Sequence, residues 1–168
     1  MSVAMPFVCD DGGRRSAGYA APARDCVARA VAIATGRPYE EVYARLADGH
    51  AAQRIMLRSK GSHHGIRTAD HGIFVQRKWF RDYMEELGFV WKPTMGIGTG
   101  CRVHLAACEL PQGRLVVSVS RHLAAVINGV LHDTRDSSRF GTRCVYGYWT
   151  LNGIEALTGD TTKEVKHD

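Results

Sequence analysis

The stretch His122-Leu-Ala-Ala-Val-Ile-Asn-Gly-Val-Leu-His-Asp133 decides how this chain is read. Two apolar runs flank Asn128-Gly129, and Asn-Gly is the strongest short-range signal for a two-residue hairpin turn. Such a turn pairs Ile127 with Val130 and sets Asp133 opposite Ala124. Side chains alternate along a strand, so His122, Ala124, Val126, Leu131 and Asp133 share one face, and His132 points to the other. His122 and Asp133 are then diagonal neighbours, roughly 7–8 Å apart at the backbone and within side-chain reach. Asn128 has the right parity but lies about 20 Å from His122 at strand rise, too far to orient it. A one-residue slip in register would break the His122–Asp133 pairing.

Outward from the hairpin, the second half of the chain reads as β-structure. Arg114 to Ser120, His122 to Ile127, Val130 to Thr134 and Val145 to Leu151 are strands. Phe89-Val90-Trp91 is a short one ending at Pro93, and Gly96, Gly98 and Gly100 form a glycine-rich turn. The first half reads as helix. Val27, Ala30, Val31 and Ala34 make one buried stripe after Asp25, a candidate N-cap, and Gly36 stands at the C-terminal cap. Pro38 suits the first turn of a second helix, with Glu40 and Glu41 near its positive end. Val42 and Leu46 give that helix an apolar face, and Asp48-Gly49 closes it. Trp79, Phe80, Tyr83, Met84 and Leu87 mark a third helix over residues 76–87. Residues 1–24 read as irregular. Residues 49–72 read as a long loop with a short helix near Ala51 to Leu57, and loops of that length in a compact domain are usually functional. Residues 157–168 read as a polar, frayed tail. Helices first and an antiparallel sheet second indicate the α+β class, as a single domain over residues 1–156.

Length and composition bound the function. A chain of 168 residues buries roughly 70% of its unfolded surface and builds a core without staples. No apolar run approaches the ~18 residues of a membrane span, and Leu115 to Val119 is the longest candidate. The 18 glycines show no period, which excludes collagen-like and solenoid repeats. The net charge of +5 favours acidic partners. Five cysteines are an odd number, and Met1 to Asp11 lacks the charged and apolar regions of a secretory signal. These features read as free thiols in a reducing, cytoplasmic setting, where a cysteine is first a candidate nucleophile or metal ligand.

Cys26 opens the first helix and lies outside its apolar stripe. The partial positive charge of a helix N-terminus favours thiolate. A nucleophilic cysteine needs a base, usually histidine, and the histidine needs an orienting acceptor. Cys26, His122 and Asp133 fill those three roles. The competing reading makes Cys26 a small buried residue, His122 a hydrogen-bonded strand residue and Asp133 a turn-capping carboxylate.

The helix led by Cys26 and the later segment from His122 to Asp133 resemble the papain-like cysteine peptidase superfamily. The likeness is closest to small bacterial branches such as bacteriocin-leader peptidases and transglutaminase-like proteins. In that superfamily the order is Cys, His, then Asp or Asn, with the Cys on a helix and the others on neighbouring strands. The resemblance implies Cys26 as nucleophile, His122 as general base and acid, and Asp133 as the orienting residue. It implies cysteine-dependent hydrolysis or acyl transfer on a peptide or isopeptide, with no cofactor. Asp25 to Pro38, Gly100-Cys-Arg-Val-His-Leu105 and Gly141-Thr-Arg-Cys-Val-Tyr-Gly-Tyr-Trp149 are similar to proteins of bacteria and their phages, a likeness of lineage that carries no function.

The chain departs from the superfamily in one respect. Papain-like enzymes place a Gln or similar donor several residues before the Cys to complete the oxyanion hole, and residues 19–25 contain neither Gln nor Asn. The Cys26 N–H supplies one donor, and Tyr19 or Arg24 is the candidate for another. Loss of one donor typically costs on the order of 10²–10³ in rate. Asp25 beside Cys26 raises the thiol pKa unless its carboxylate points away. The alternative is therefore a catalytically silent domain of the same fold that binds nucleic acid or a partner protein through its basic surface.

Three other readings compete. Cys101, His104 and Cys108 have metal-ligand spacing, with His63, His64 and His71 upstream, but no second tight pair completes a tetrahedral zinc site. Arg54, Arg58, Lys60, Arg67, Arg77, Lys78 and Arg81 could line a phosphate-binding face, with Trp79 and Phe80 nearby. Gly96-Ile-Gly-Thr-Gly100 lacks the Lys-Ser/Thr ending of a P-loop and reads as a turn.

Overall fold

The computed structural model describes residues 4–20, 24–52, 69–70 and 72–151. Strand β1 (Phe7–Cys9) precedes three helices, α1 (Cys26–Thr35), α2 (Tyr39–Ala52) and α3 (Lys78–Glu86). Five strands follow: β2 (Phe89–Pro93), β3 (Arg114–Val119), β4 (His122–Ile127), β5 (Val130–Asp133) and β6 (Val145–Leu151). The chain is α+β, with one sheet in the order β1-β5-β4-β3-β6-β2. The strand and helix spans read from sequence hold to within two residues for α1, α3 and β2 to β6.

The hairpin register is the one that Asn128-Gly129 dictates. Ile127 faces Val130, Val126 faces Leu131 and Ala125 faces His132. Asn128 and Gly129 both have positive φ, at 49° and 77°, as a turn matching the strand twist requires.

The two faces of the sheet bury different cores. Val116 on β3 and Leu123 and Ala125 on β4 meet the helices, where Val31, Tyr39, Leu46, Phe80 and Met84 are buried. Leu115, Val117, Val119, Ala124, Val126 and Leu131 face away, against Met5, Leu105 and Leu110. Helix α1 packs across β4, β3 and β5 and is buried nearly all round, since Val27, Ala28 and every residue from Ala30 to Ala34 are buried. Its C-terminal carbonyls have no basic residue of their own turn. Arg114 at the start of β3 supplies the charge, donating from Nη1 to the carbonyls of Ile33 and Ala34 at 3.1 Å each.

Four expectations from sequence are corrected. First, residues 1–24 are not wholly irregular: β1 lies parallel to β5, Cys9 opposite Asp133, so the sheet is mixed rather than antiparallel. Three residues are too few to show a period. Second, α2 does not close at Gly49 but continues to Ala52. A Cβ at Gly49 would overlap the Trp79 ring, so the glycine marks where α3 presses on α2. Third, Asp25 makes no side-chain cap to α1. Fourth, Cys101 and Cys144 form a disulfide with Cα atoms 5.8 Å apart, leaving Cys9, Cys26 and Cys108 as the free thiols. The bridge spans 43 residues, and antiparallel pairing of His104 with Cys144 brings its ends together. It also removes the free-thiol argument for a reducing compartment. Most of the expected 49–72 loop and all of the expected 157–168 tail lie outside the described residues. Among the described residues, no helix is long and apolar enough to cross a membrane.

Candidate active site

Cys26, His122 and Asp133 come together at one end of the sheet, where the N-terminus of α1 meets the start of β4 and the end of β5. Nε2 of His122 lies 2.5 Å from Oδ2 of Asp133. The Cys26 thiol lies beside His122, which favours its charged form. The N–H of Leu123 also donates to the Cys26 sulfur. The carboxylate thus holds the imidazole, and the Cys26 sulfur lies beside the ring.

Electrostatics follow from this geometry. Burial opposes charge on the Cys26 sulfur, but the His122 and Leu123 hydrogen bonds and the nearby charges of His122 and Arg29 outweigh it, and the thiol is held below its usual range. Burial also opposes a charged His122, yet Asp133 and Cys26 raise the imidazole from 6.5 to about 9. The Asp133 carboxyl is held below its ordinary value against its own burial. Besides His122, it accepts from the Thr134 N–H at 2.7 Å and the Ser137 hydroxyl at 3.0 Å. All three directions favour thiolate, imidazolium and carboxylate.

The carboxylate next to Cys26 does not disturb this. Asp25 is 1% exposed and turned into a buried cluster. The Tyr39 hydroxyl donates to its Oδ2 at 2.6 Å, Arg14 Nε lies 2.8 Å from the same oxygen, and Arg29 Nη1 lies 3.3 Å from Oδ1. Two guanidiniums offset its charge, and the chain's entry into α1 is pinned in place of an N-cap.

A cleft of about 720 Å³ opens over Cys26 and His122. That volume lies in the range of small-molecule and peptide subsites. Arg24 and Arg29 line it beside Cys26, and Arg121 and Arg135 line it beside His122. Ile73, Phe74 and Val75 form an apolar wall, and Phe74 is 55% exposed. Of the two oxyanion candidates, only Arg24 borders this cleft. The Tyr19 ring instead packs on Tyr39 and Tyr43, with centroids 5.1 and 4.7 Å away. The backbone N–H of Cys26 is in the first turn of α1 and has no intrahelical acceptor, so it remains available to a developing oxyanion. The side-chain amide that borders the cleft, Gln76, comes from the segment leading into α3.

The metal-spaced residues go elsewhere. Cys101 is consumed by its disulfide, His104 Nδ1 lies 3.0 Å from Glu109, and Cys108 is exposed. Among the described residues, no group of three His, Cys, Asp or Glu is placed to hold a metal ion. His63, His64 and His71 lie outside the described residues.

Sequence reasoning missed Ser137, the arginine rim and Phe74. Ser137 follows Asp133 by four residues, a spacing at which a hydroxyl can return to a carboxylate, and that was the available signal. Arg121 carried none, because a charged residue in a hairpin turn is ordinary. No protein-family model, no curated protein and no solved structure matches the chain.

Proposed function

We propose that the chain is a papain-like, cysteine-dependent hydrolase or acyltransferase acting on a peptide or isopeptide. The observation that carries this reading is the meeting of Cys26 with a His122 hydrogen-bonded to Asp133, where Cys26 and His122 line an open cleft. The Cys26 thiolate attacks the substrate carbonyl, forming a carbon–sulfur bond and a tetrahedral oxyanion held by the Cys26 N–H. The imidazolium of His122 gives its proton to the departing nitrogen as the carbon–nitrogen bond breaks, leaving a thioester. Water, or an acceptor amine, then gives a proton to the neutral imidazole and adds to the carbonyl. The thiolate leaves, and the ion pair is restored. Asp133 holds the ring in the tautomer that keeps Nδ1 toward sulfur.

A thiol-reactive probe applied across pH tests the reading. Expected is selective modification of Cys26 near neutral pH, abolished in His122→Ala. If Cys9, Cys26 and Cys108 react alike and only in alkali, the reading is wrong. A second reading, a silent binding domain, is favoured by one observation: Gln76 stands after Cys26 in the chain, and residues 19–25 carry no amide side chain. A Cys26 that is reactive toward small probes yet forms no thioester with any peptide would select it.

A further inference from the structure

The cleft over the catalytic pair is lined by four arginines and, among the described residues, by no carboxylate. Arg29 spends part of its charge on the buried Asp25. Arg24, Arg121 and Arg135 form no ion pair with any described carboxylate. These three come from separate parts of the chain: the segment before α1, the β3–β4 turn, and the segment after β5. Each is beside a catalytic group in sequence, since Arg24 is two before Cys26, Arg121 is one before His122, and Arg135 is two after Asp133.

Arg121 also stands in an unfavourable conformation. Its φ is 56°, in the left-handed region that glycine enters freely and other residues enter at a cost. A turn at that place needs no guanidinium. The charge is better explained by what it faces, which is the mouth of the cleft.

Resting on the catalytic reading above, we propose that this rim selects acyl substrates carrying an acidic side chain, Asp or Glu, beside the scissile carbonyl. Guanidiniums suit carboxylates through paired, parallel hydrogen bonds. Ile73, Phe74 and Val75, which also line the cleft, take the aliphatic part of a peptide. The Arg77 guanidinium lies 5.3 Å from the Phe74 ring centroid. A nucleic acid strand would satisfy the arginines but offers the thiolate no acyl carbon, so the peptide is favoured.

The test uses the thiol itself and an internal reference. Cys26 is alkylated with iodoacetate, which is anionic, and with iodoacetamide, which is neutral. In both cases sulfur bonds to carbon and iodide leaves. The rate ratio at Cys26 is divided by the ratio at Cys108, an exposed free thiol of the same chain. Charge focusing in a cleft raises local anion concentration by about tenfold or more. A normalised ratio of about ten, falling as salt rises to 0.5 M, is expected. The ratio falls further in the Arg121→Gln, Arg135→Gln double variant, and normalising by each variant's iodoacetamide rate removes any change in the thiol's own reactivity.

A normalised ratio near one, insensitive to salt, overturns the proposal while leaving the catalytic reading intact. Failure of either reagent to prefer Cys26 over Cys108 near neutral pH overturns both. With fluorogenic amides differing only in Glu, Gln or Lys next to the cleaved bond, Glu is expected to give the highest kcat/KM, and equal values overturn the proposal. Protection of Cys26 from iodoacetamide by a single-stranded oligonucleotide, and not by a glutamate-rich peptide, also overturns it, in favour of nucleic acid.

Discussion

The opposite shifts of Cys26 and His122 have a thermodynamic signature. His122 is raised from 6.5 to about 9, so its contribution to stability is complete below 6.5 and is lost as pH climbs toward 9. Cys26 is lowered from 9.0, so its contribution grows over the window beneath 9. The two slopes oppose each other in the intact chain. In Cys26→Ala only the histidine slope remains, smaller because the sulfur no longer helps raise the ring but kept by Asp133. Stability of that variant is expected to fall between pH 6.5 and 9 by about 1 kcal/mol or more relative to the parent. Urea midpoints at the two pH values check this, and parallel behaviour would mean that the thiol keeps its proton. Ser137→Ala removes one of the three donors to a buried carboxylate. The expected cost is about 1–3 kcal/mol, with slower alkylation of Cys26 at neutral pH because the imidazole is less firmly aimed. Unchanged urea midpoints and alkylation rates would remove Ser137 from the account.

At the level of elements, α1 matters most, because its first residue is the proposed nucleophile and its last carbonyls lean on a neighbouring strand. Arg114→Met keeps the aliphatic stem of the side chain and removes both charged donors from the C-terminus of α1. A loss of about 1–3 kcal/mol is expected by chemical denaturation. Since Cys26 lies at the other end of the helix, its reactivity in the folded protein should persist. Elements whose signals are local were legible in the sequence. Asn128-Gly129 fixed the hairpin register, and with it the meeting of His122 and Asp133, because a two-residue turn leaves no freedom of phase. Gly36, at φ 71°, closed α1 as a helix-terminating glycine does. Elements whose reason lies far along the chain were not legible. Gly49 sits inside α2 because the Trp79 ring fills the space of a side chain there, and β1 exists because β5 offers it an edge. Asp25 read as an N-cap because its partners, Arg14 and Tyr39, are brought to it only by the fold.

Across the whole molecule, the Cys101–Cys144 bridge ties the segment after the glycine-rich turn to the start of β6, beyond the second core. Replacing both cysteines by serine should cost about 2–4 kcal/mol, the range for closing a loop of this size. Denaturation of the oxidised parent and the double variant, with and without reductant, measures it. A reductant-insensitive parent that titrates five thiols would show the bridge to be absent in solution. The hydrogen bonds that hold His122 and Asp133 do not involve Cys101 or Cys144, so selective labelling of Cys26 should survive loss of the bridge.

Strand β1 carries a last consequence. Its neighbour is the ribbon bearing Asp133: Cys9 sits opposite that residue, and the Asp10 N–H donates to its carbonyl at 2.8 Å. The earliest described residues therefore brace the far end of the proton relay from behind. Clipping residues 4–10, or fusing a bulky tag immediately before them, should blunt the chemistry at a sulfur that the tag never touches.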